Sequence, residues 1–429
     1  MQVSDYRPGL SFALEKDRQD PLRSFRNEFY FPCHGDGDAV YFCGNSLGLQ
    51  PKRVEAAFHE ELEDWRKLGV LGYYEAKNPW LYYQHQFQKS LARLAGCFEH
   101  EVTVMNTLTV NLHLMLLSFF KPSGTRNKIL MEAGAFPSDQ YAVETLVKLH
   151  GLSPEKTIIE LIPREGEKIL QEQDILKCID ENRDSLALVL LGGINYYSGQ
   201  LFDMNAITRA AHAAGAIAGF DLAHAVGNVE LTLHEWDIDF AVWCSYKYLN
   251  GGPGAVGGAY IHERYSTDKA VSRLGGWWGN DEKTRFLMEK GFIPKPDANG
   301  WNLSTAQVFN MVALKASLEI FDQTNIKELR KKSIDLTGYL EYLVQSRSGI
   351  SLQIITPKDP HKRGAQLSLY FPEKGRQIFE RMIQEGVIVD YREPGVMRVA
   401  PAPLYNSYEE VYRFHEILLR FRSSHASLS

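Results

Sequence analysis

From about residue 100 to residue 262, short apolar runs alternate with stretches of helical period. The runs are "NKILME", "KTIIELIP", "LALVLLGGI", "AIAGFD", "DFAVWCS" and "AVGGAYIH". Between them, "SDQYAVETLVKLHG", "EKILQEQDILKCIDEN" and "NAITRAAHAAG" carry the apolar spacing of a helix face. Strands that are apolar at nearly every position are buried on both faces. With helices between them they predict an α/β fold, a mostly parallel sheet covered by helices. Ligands of such sheets lie at the carboxyl ends of the strands.

After about residue 310 the texture changes. "VALKASLEIFDQTNIKELRKKSIDLTGYLEYLVQS" reads as a long helical stretch. The strand candidates "ISLQIITP" and "AQLSLYFP" follow, then the helix "GRQIFERMIQEG", two short strands around "VIVDYREPGVMRVAP" and a last helix, "YEEVYRFHEILLRF". This grouping predicts a separate, smaller α+β domain.

Composition narrows the class. The 429 residues are 44% hydrophobic and 23% charged, enough for a large core. With 47 basic and 53 acidic residues the net charge is −6, which speaks against nucleic acid as a partner, because phosphate backbones need a basic face. Cys33, Cys43, Cys97, Cys178 and Cys244 show no paired spacing and fit a reducing compartment. The opening "MQVSDYRPGLSFALEKD" lacks the apolar core of a secretion signal. No apolar run approaches the ~20 residues that span a bilayer. A soluble, cytoplasmic protein without a membrane partner is expected.

Three motifs match by letter and fail by context. Gly252, Gly254 and Gly257 satisfy G-x-G-x-x-G, but they run into a strand pattern where a dinucleotide site needs a helix. "GNSLG" satisfies the nucleophile elbow at Ser46, yet Pro51 puts the next helix several residues too late. The His-Glu pairs at His59, His234 and His262 lack the second histidine of a zinc motif, and no metal is expected.

Two further motifs agree with one another. "GFDLAH" sets Asp221 and His224 at the carboxyl edge of the sheet, and "SYK" sets Lys247 at the end of the next strand. Taken singly, Asp221 reads as a helix cap, His224 as a packed core histidine and Lys247 as a side chain reaching for water. Together they match pyridoxal phosphate, which needs a lysine amine for its Schiff base and an acid for its pyridinium nitrogen. The glycine turn after Lys247 allows close approach. Thr109 stands before a strongly apolar helix, where it caps the helix or helps free N–H groups hold a phosphate. Phe136, Ser138 and Asp139 follow the strand "NKILME": a ring to stack on a pyridine, and two residues that serve equally as helix caps.

"FDLAHAVGNVELTLHEWDIDFAVWCSYKYLNGGPG" closely resembles the kynureninase family, pyridoxal-phosphate enzymes of the aspartate-aminotransferase fold (fold type I). "YFCGNSLGLQP", "MNTLTVNLHLML", "AFPSDQYAVE", "GGWWG" and "MRVAPAPLYNSY" extend the resemblance from about Tyr41 to Tyr408. It implies hydrolysis of kynurenine, or its 3-hydroxy form, to an anthranilate and alanine, within tryptophan degradation. Lys247 would carry the cofactor, Asp221 would face its ring nitrogen with Ser138, Asp139 and His224 nearby, and Phe136 would stack on the ring. Leu108, Thr109 and Tyr246 would hold the phosphate, and Tyr246 is also the candidate for proton transfer. Trp277 and Thr305 would reach the phosphate from a second subunit, implying a homodimer with shared sites. Arg398 would pair with the substrate α-carboxylate, with Asn45 and Ser46 lining the pocket. Tyr73 would lie near the aryl group, where animal members carry histidine; Thr305 stands for their asparagine and Gly192 for their serine. The implied division is an N-terminal segment (1–60) packing with the small domain, a large domain (61–312) and a small C-terminal domain (313–429). Rival readings are an aminotransferase or cysteine desulfurase of the same fold, a serine hydrolase using Ser46, and a non-catalytic binding protein.

Overall fold

A computed structural model describes residues 6–347 and 350–421. The apolar runs become strands: β2 (Lys128–Glu132), β3 (Ile158–Leu161), β4 (Leu186–Gly192), β5 (Ile217–Asp221), β6 (Phe240–Cys244) and β7 (Gly257–Ile261). A further strand, β1 (Val102–Met105), completes a seven-stranded sheet of order β1-β7-β6-β5-β4-β2-β3. From β3 to β6 all neighbours run parallel, whereas β7 is antiparallel to both β6 and β1. The reason is the connection. A parallel return needs a crossover, usually a helix; β6 and β7 are joined by a glycine-rich turn, so the chain doubles back.

Alternation along the strands feeds two cores. Leu130, Val189, Leu191, Phe220 and Trp243 pack on one face with Ile207 and Ala211. Ile129, Met131, Leu188, Phe240 and Val242 pack on the other with Met115, Val143 and Leu146. These last come from helices α1 (Leu108–Phe119) and α2 (Pro137–Leu149), while Ile207 and Ala211 belong to α3 (Met204–Ala213). The expected α/β sheet covered by helices is therefore present. Among the described residues no helix is long and apolar enough to cross a membrane.

Two helix expectations change. The stretch from Glu167 to Asn182 is helical only over Glu172–Glu181, because the main chain of Leu170 is bonded through both N–H and C=O to the Gln200 side chain (3.1 and 2.6 Å). The stretch after residue 310 is two helices, α4 (Val308–Phe321) and α5 (Ile326–Arg347). Asn325 restarts the second by accepting the Glu328 N–H at 3.0 Å.

Beyond α5, a four-stranded antiparallel sheet has the order β8-β9-β11-β10, from β8 (Gln353–Ile354), β9 (Leu367–Tyr370), β10 (Asp390–Arg392) and β11 (Val396–Val399). Its core, including Leu340, Leu367, Val399 and Phe414, also takes in Tyr6, Ala13, Val40 and Phe42 from the start of the chain. Val40–Tyr41 pairs in parallel with Val387–Ile388.

β5, which carries Asp221, is held against β6 by a glycine. A Cβ at Gly219 would meet the Phe240 ring at 2.1 Å. Gly219→Ala is expected to lower stability by about 1–3 kcal/mol, the cost of overpacking a filled core. Urea denaturation checks this; an unchanged midpoint would show that the ring moves aside freely.

Candidate active site

The parallel strands bring four residues to one edge of the sheet. β2 ends in Glu132, β4 in Gly192 and β5 in Asp221; Lys247 follows β6 after a short turn. They line a cavity of ≈ 160 Å³ together with residues from the starts of α1 and α2. Lys247 Nζ lies 3.0 Å from His224 Nε2 and 5.8 Å from the centre of the Phe136 ring. Burial, and then the charge of Lys247, hold His224 well below the usual histidine range. The neutral ring thus offers Nε2 as an acceptor, and the lysine donates to it.

The floor of the cavity is acidic. Asp221 is buried and accepts the Ala223 N–H at 2.8 Å. Burial raises its pKa, and the Lys247 ammonium pulls it back. Asp139 is raised well above the usual carboxylate range by burial and then by the charge of Asp221. Two buried carboxyl groups in contact hold one proton between them. The Lys247 charge acts on Asp221, so the shared proton is favoured on Asp139, whose carboxyl is raised the further of the two. Ser138 Oγ donates to Asp139 at 3.3 Å. Neither Ser138 nor Asp139 makes a capping bond to α2, whose N-cap is Phe136.

At the other end, α1 begins at Leu108, with Thr107 in the N-cap position and no side-chain cap bond. This corrects the expected cap at Thr109, which is already inside the first turn. The chain turns two positions earlier because Asn106 adopts a left-handed conformation (φ 48°). The first N–H groups of a helix have no partner within it, and Leu108 and Thr109 both line the cavity. Gly257 makes this end possible: a Cβ there would lie 3.1 Å from the Leu108 nitrogen. The Tyr246 ring centre lies 5.9 Å from Lys247 Nζ, and burial beside Cys244 pushes its phenol up. An amine, an ionised floor, an aromatic wall and a cluster of free N–H groups are the donor set that pyridoxal phosphate requires, so the residues present fit that group.

Other expected residues stand apart from this cavity. Arg398 is buried; Nη1 donates to the Tyr196 carbonyl at 2.8 Å, and Nη2 to Ser46 Oγ at 3.1 Å and to the Asp390 carboxylate. Its Nε has no partner among the described residues. Ser46 Oγ in turn donates to Asp390 at 2.7 Å, and Asn45 donates to Gln366 at 2.8 Å. With an arginine and an acid as partners and the next helix starting at Val54, Ser46 is not the nucleophile of an elbow. Tyr73 packs edge-on against Trp80 at 5.7 Å. Trp277 is 49% exposed beside Trp278 and Phe286. Neither it, Tyr73 nor Thr305 lines the cavity of its own chain. Cys244 is buried in β6 with its thiol pushed up, unsuited to a mobile desulfurase nucleophile.

Sequence reasoning missed Glu132, Asn195 and Tyr196, which line the same cavity. For Glu132 a signal existed: it ends an apolar strand as Asp221 does. Asn195 and Tyr196 lie in a loop whose partners are distant in sequence.

The model of the "Kynureninase C-terminal domain" family matches residues 329–418. The kynureninase of Koribacter versatilis is 51% identical over 405 residues, covering 94% of this chain and 96% of its own. That of Myxococcus xanthus is 51% identical over 409 residues, with 95% and 96% covered. Among solved structures, a cysteine desulfurase from Thermococcus onnurineus has a TM-score of 0.73 at 18% identity, covering 89% of this chain and 94% of its own. A C-DES variant with glycine covalently linked to its PLP cofactor has a TM-score of 0.75 at 14% identity, with 89% and 96% covered. The latter two share the fold; the former two share half of all positions over nearly the full length, and the chain belongs to the kynureninase family.

Proposed function

We propose that this chain hydrolyses the Cβ–Cγ bond of L-kynurenine, of its 3-hydroxy form, or of both, with pyridoxal phosphate as cofactor, releasing an anthranilate and L-alanine in tryptophan degradation. The observation that carries the reading is the meeting of Lys247, the Asp221–Asp139 pair and the first turn of α1 in one cavity, in a chain so close to kynureninases. When bound, the cofactor supplies an electron sink for a carbanion at the substrate α-carbon.

The chain's own residues do the rest. The Lys247 amine would hold the cofactor and would accept the substrate α-proton. Neutral His224 aims that amine by accepting one of its hydrogens. Ionised Asp221 keeps a proton on the ring nitrogen, since opposite charge favours the charged form. The Leu108 and Thr109 N–H groups would take the phosphate, and Phe136 would cover the ring. The Tyr246 phenol moves a proton during carbon–carbon cleavage, since it both donates and accepts. Arg398 forks the substrate α-carboxylate, with Asn45 and Ser46 beside it and Tyr73 toward the aryl group.

We further read the protein as a cytoplasmic homodimer in which Trp277 and Thr305 serve the second subunit's phosphate. Supporting this, Leu274, Trp277, Leu287, Met288 and Ile293 are exposed on one segment. Apolar surface of that kind marks an interaction site. The division into 1–60, 61–312 and 313–429 is part of the same reading, supported by the core that joins the first and last segments.

Mixing the purified, cofactor-loaded protein with each kynurenine should release a fluorescent anthranilate and alanine in equal amounts. Release of a keto acid without alanine would indicate an aminotransferase instead, and no reaction with either compound would overturn the proposal.

The two floor acids should differ. Asp221→Asn removes the charge and should weaken cofactor binding at least roughly tenfold, as loss of a charged hydrogen bond does. Asp139→Asn keeps a donor toward Asp221 and should cost less than about threefold, since a donor survives. Equilibrium titration with the cofactor, read by absorbance, checks both; equal losses would contradict the placement of the proton.

A further inference from the structure

Glu132 is buried at the end of β2, where both carboxylate oxygens are engaged. Oε1 accepts the Gly192 N–H at 2.8 Å, and Oε2 accepts from Asn195 Nδ2 at 2.5 Å. Asn195 uses its other end as well. Its Oδ1 accepts from the Tyr197 N–H (3.1 Å), the Ser198 N–H (2.8 Å) and the Ser198 hydroxyl (3.0 Å). Its main chain closes the loop through the Asn195 N–H to the Gln200 carbonyl at 2.8 Å. The loop is thus held from within by the Asn195 side chain together with the Ser198 hydroxyl and its own main chain, and the Asn195 side chain is held by Glu132.

What this loop presents is the Tyr196 carbonyl, which accepts Arg398 Nη1 at 2.8 Å and Gln366 Nε2 at 3.1 Å. The Tyr196 ring stands edge-on against Phe136, with centres 5.2 Å apart. A guanidinium is planar, so holding Nη1 at the Tyr196 carbonyl, together with Nη2 at Ser46 and Asp390, fixes the plane in which its fork lies.

We propose that Glu132 is a positioning residue for substrate recognition: by clamping Asn195 it sets the Tyr196 carbonyl, and that carbonyl orients the Arg398 fork toward the α-carboxylate of an amino-acid substrate. This rests on the assignment of Arg398 to that carboxylate. Glu132 touches neither the carboxylate nor Arg398. Its effect is on how well the arginine is aimed, and so on binding of α-carboxylates rather than on the chemical step.

The clamp has a polarity that can be reversed. Glu132→Gln offers one acceptor and one donor where two donors, the Gly192 N–H and the Asn195 amide, arrive. Rotating the Asn195 amide only moves the conflict to the Tyr197 and Ser198 N–H groups. Asn195→Asp sets two carboxylates against each other. The double variant E132Q/N195D satisfies every group: the new amide accepts from Gly192 and donates to the new carboxylate, which keeps its three donors.

The experiment measures kcat and KM for kynurenine in cofactor-loaded wild type, both single variants and the double variant. In parallel, L-alanine, which carries the α-carboxylate, is titrated against each and followed by cofactor absorbance. Each single variant should raise KM and the L-alanine dissociation constant roughly tenfold, about 1.4 kcal/mol. Turnover should stay within about twofold, because uniform binding is what is lost, and the cofactor absorbance should be retained. The double variant should return both constants to within about threefold of wild type, since coupled sites are not additive. Single variants that bind like wild type, or that lose the cofactor, overturn the proposal. So does a double variant no better than the worse single. A single variant that fails to fold leaves the decision to the double variant. Wild type that releases no anthranilate would sink the proposed activity, while the L-alanine titration would still report on the clamp.

Discussion

A carboxylate ionised in a dry cavity is costly unless a positive charge stands close by. At the carboxyl edge of the sheet, Asp221 and Asp139 are both buried, and Glu132 is buried beside them. Lys247 is the cation that acts on Asp221, and the two aspartates settle on one proton. A cavity with this balance favours a ligand bearing a positive charge at its floor. A protonated pyridine ring supplies that charge. On the proposed reading its phosphate goes to the opposite end, beside the Leu108 and Thr109 N–H groups at the start of α1. The architecture follows from holding these ends a fixed distance apart: parallel strands deliver the acids and a tight glycine return delivers the lysine. Gly257 in β7 lets the helix start come close enough to close the cavity.

Much of this was legible in the chain because the signals are local. Doubly buried strands must be apolar at nearly every position, so β2 and β4 to β7 stand out, and residues that end the parallel strands must lie at one edge. β1, the four residues "VTVM", is too short to separate from its surroundings, and only its register with β7 makes it a strand. The cap of α1 was misplaced by two positions because hydroxyl residues stand at both 107 and 109. Which of them caps is decided by the left-handed turn at Asn106. The break at Asn325 hides inside an apolar pattern that is helical on both sides.

The clamp around Asn195 was illegible for a different reason. Glu132, Asn195, Tyr196 and Arg398 are brought together only by the order of strands and the docking of the small sheet. No spacing predicts that. The same applies to the His-Glu pairs that fail as zinc motifs. His234 and His262 meet at buried Glu101, at the edge of the sheet opposite Lys247. There Glu101 accepts the Phe98 N–H at 3.0 Å, the Glu263 N–H at 2.8 Å and His234 Nδ1 at 3.0 Å, tying β1 to the end of β7. His234 is a hydrogen-bonding partner of this acid, while His262 stands 3.7 Å from it with its Nδ1 accepting the Arg264 N–H at 3.2 Å.

The roles of the cavity residues all depend on the amine of Lys247 being where the cofactor is joined to the protein. Borohydride reduction of active, cofactor-saturated protein, followed by proteolysis and peptide mass mapping, asks this directly. A pyridoxyl-phosphate adduct confined to the peptide that contains Lys247 is expected. Recovery of that peptide unmodified, or an adduct on another lysine, would contradict it.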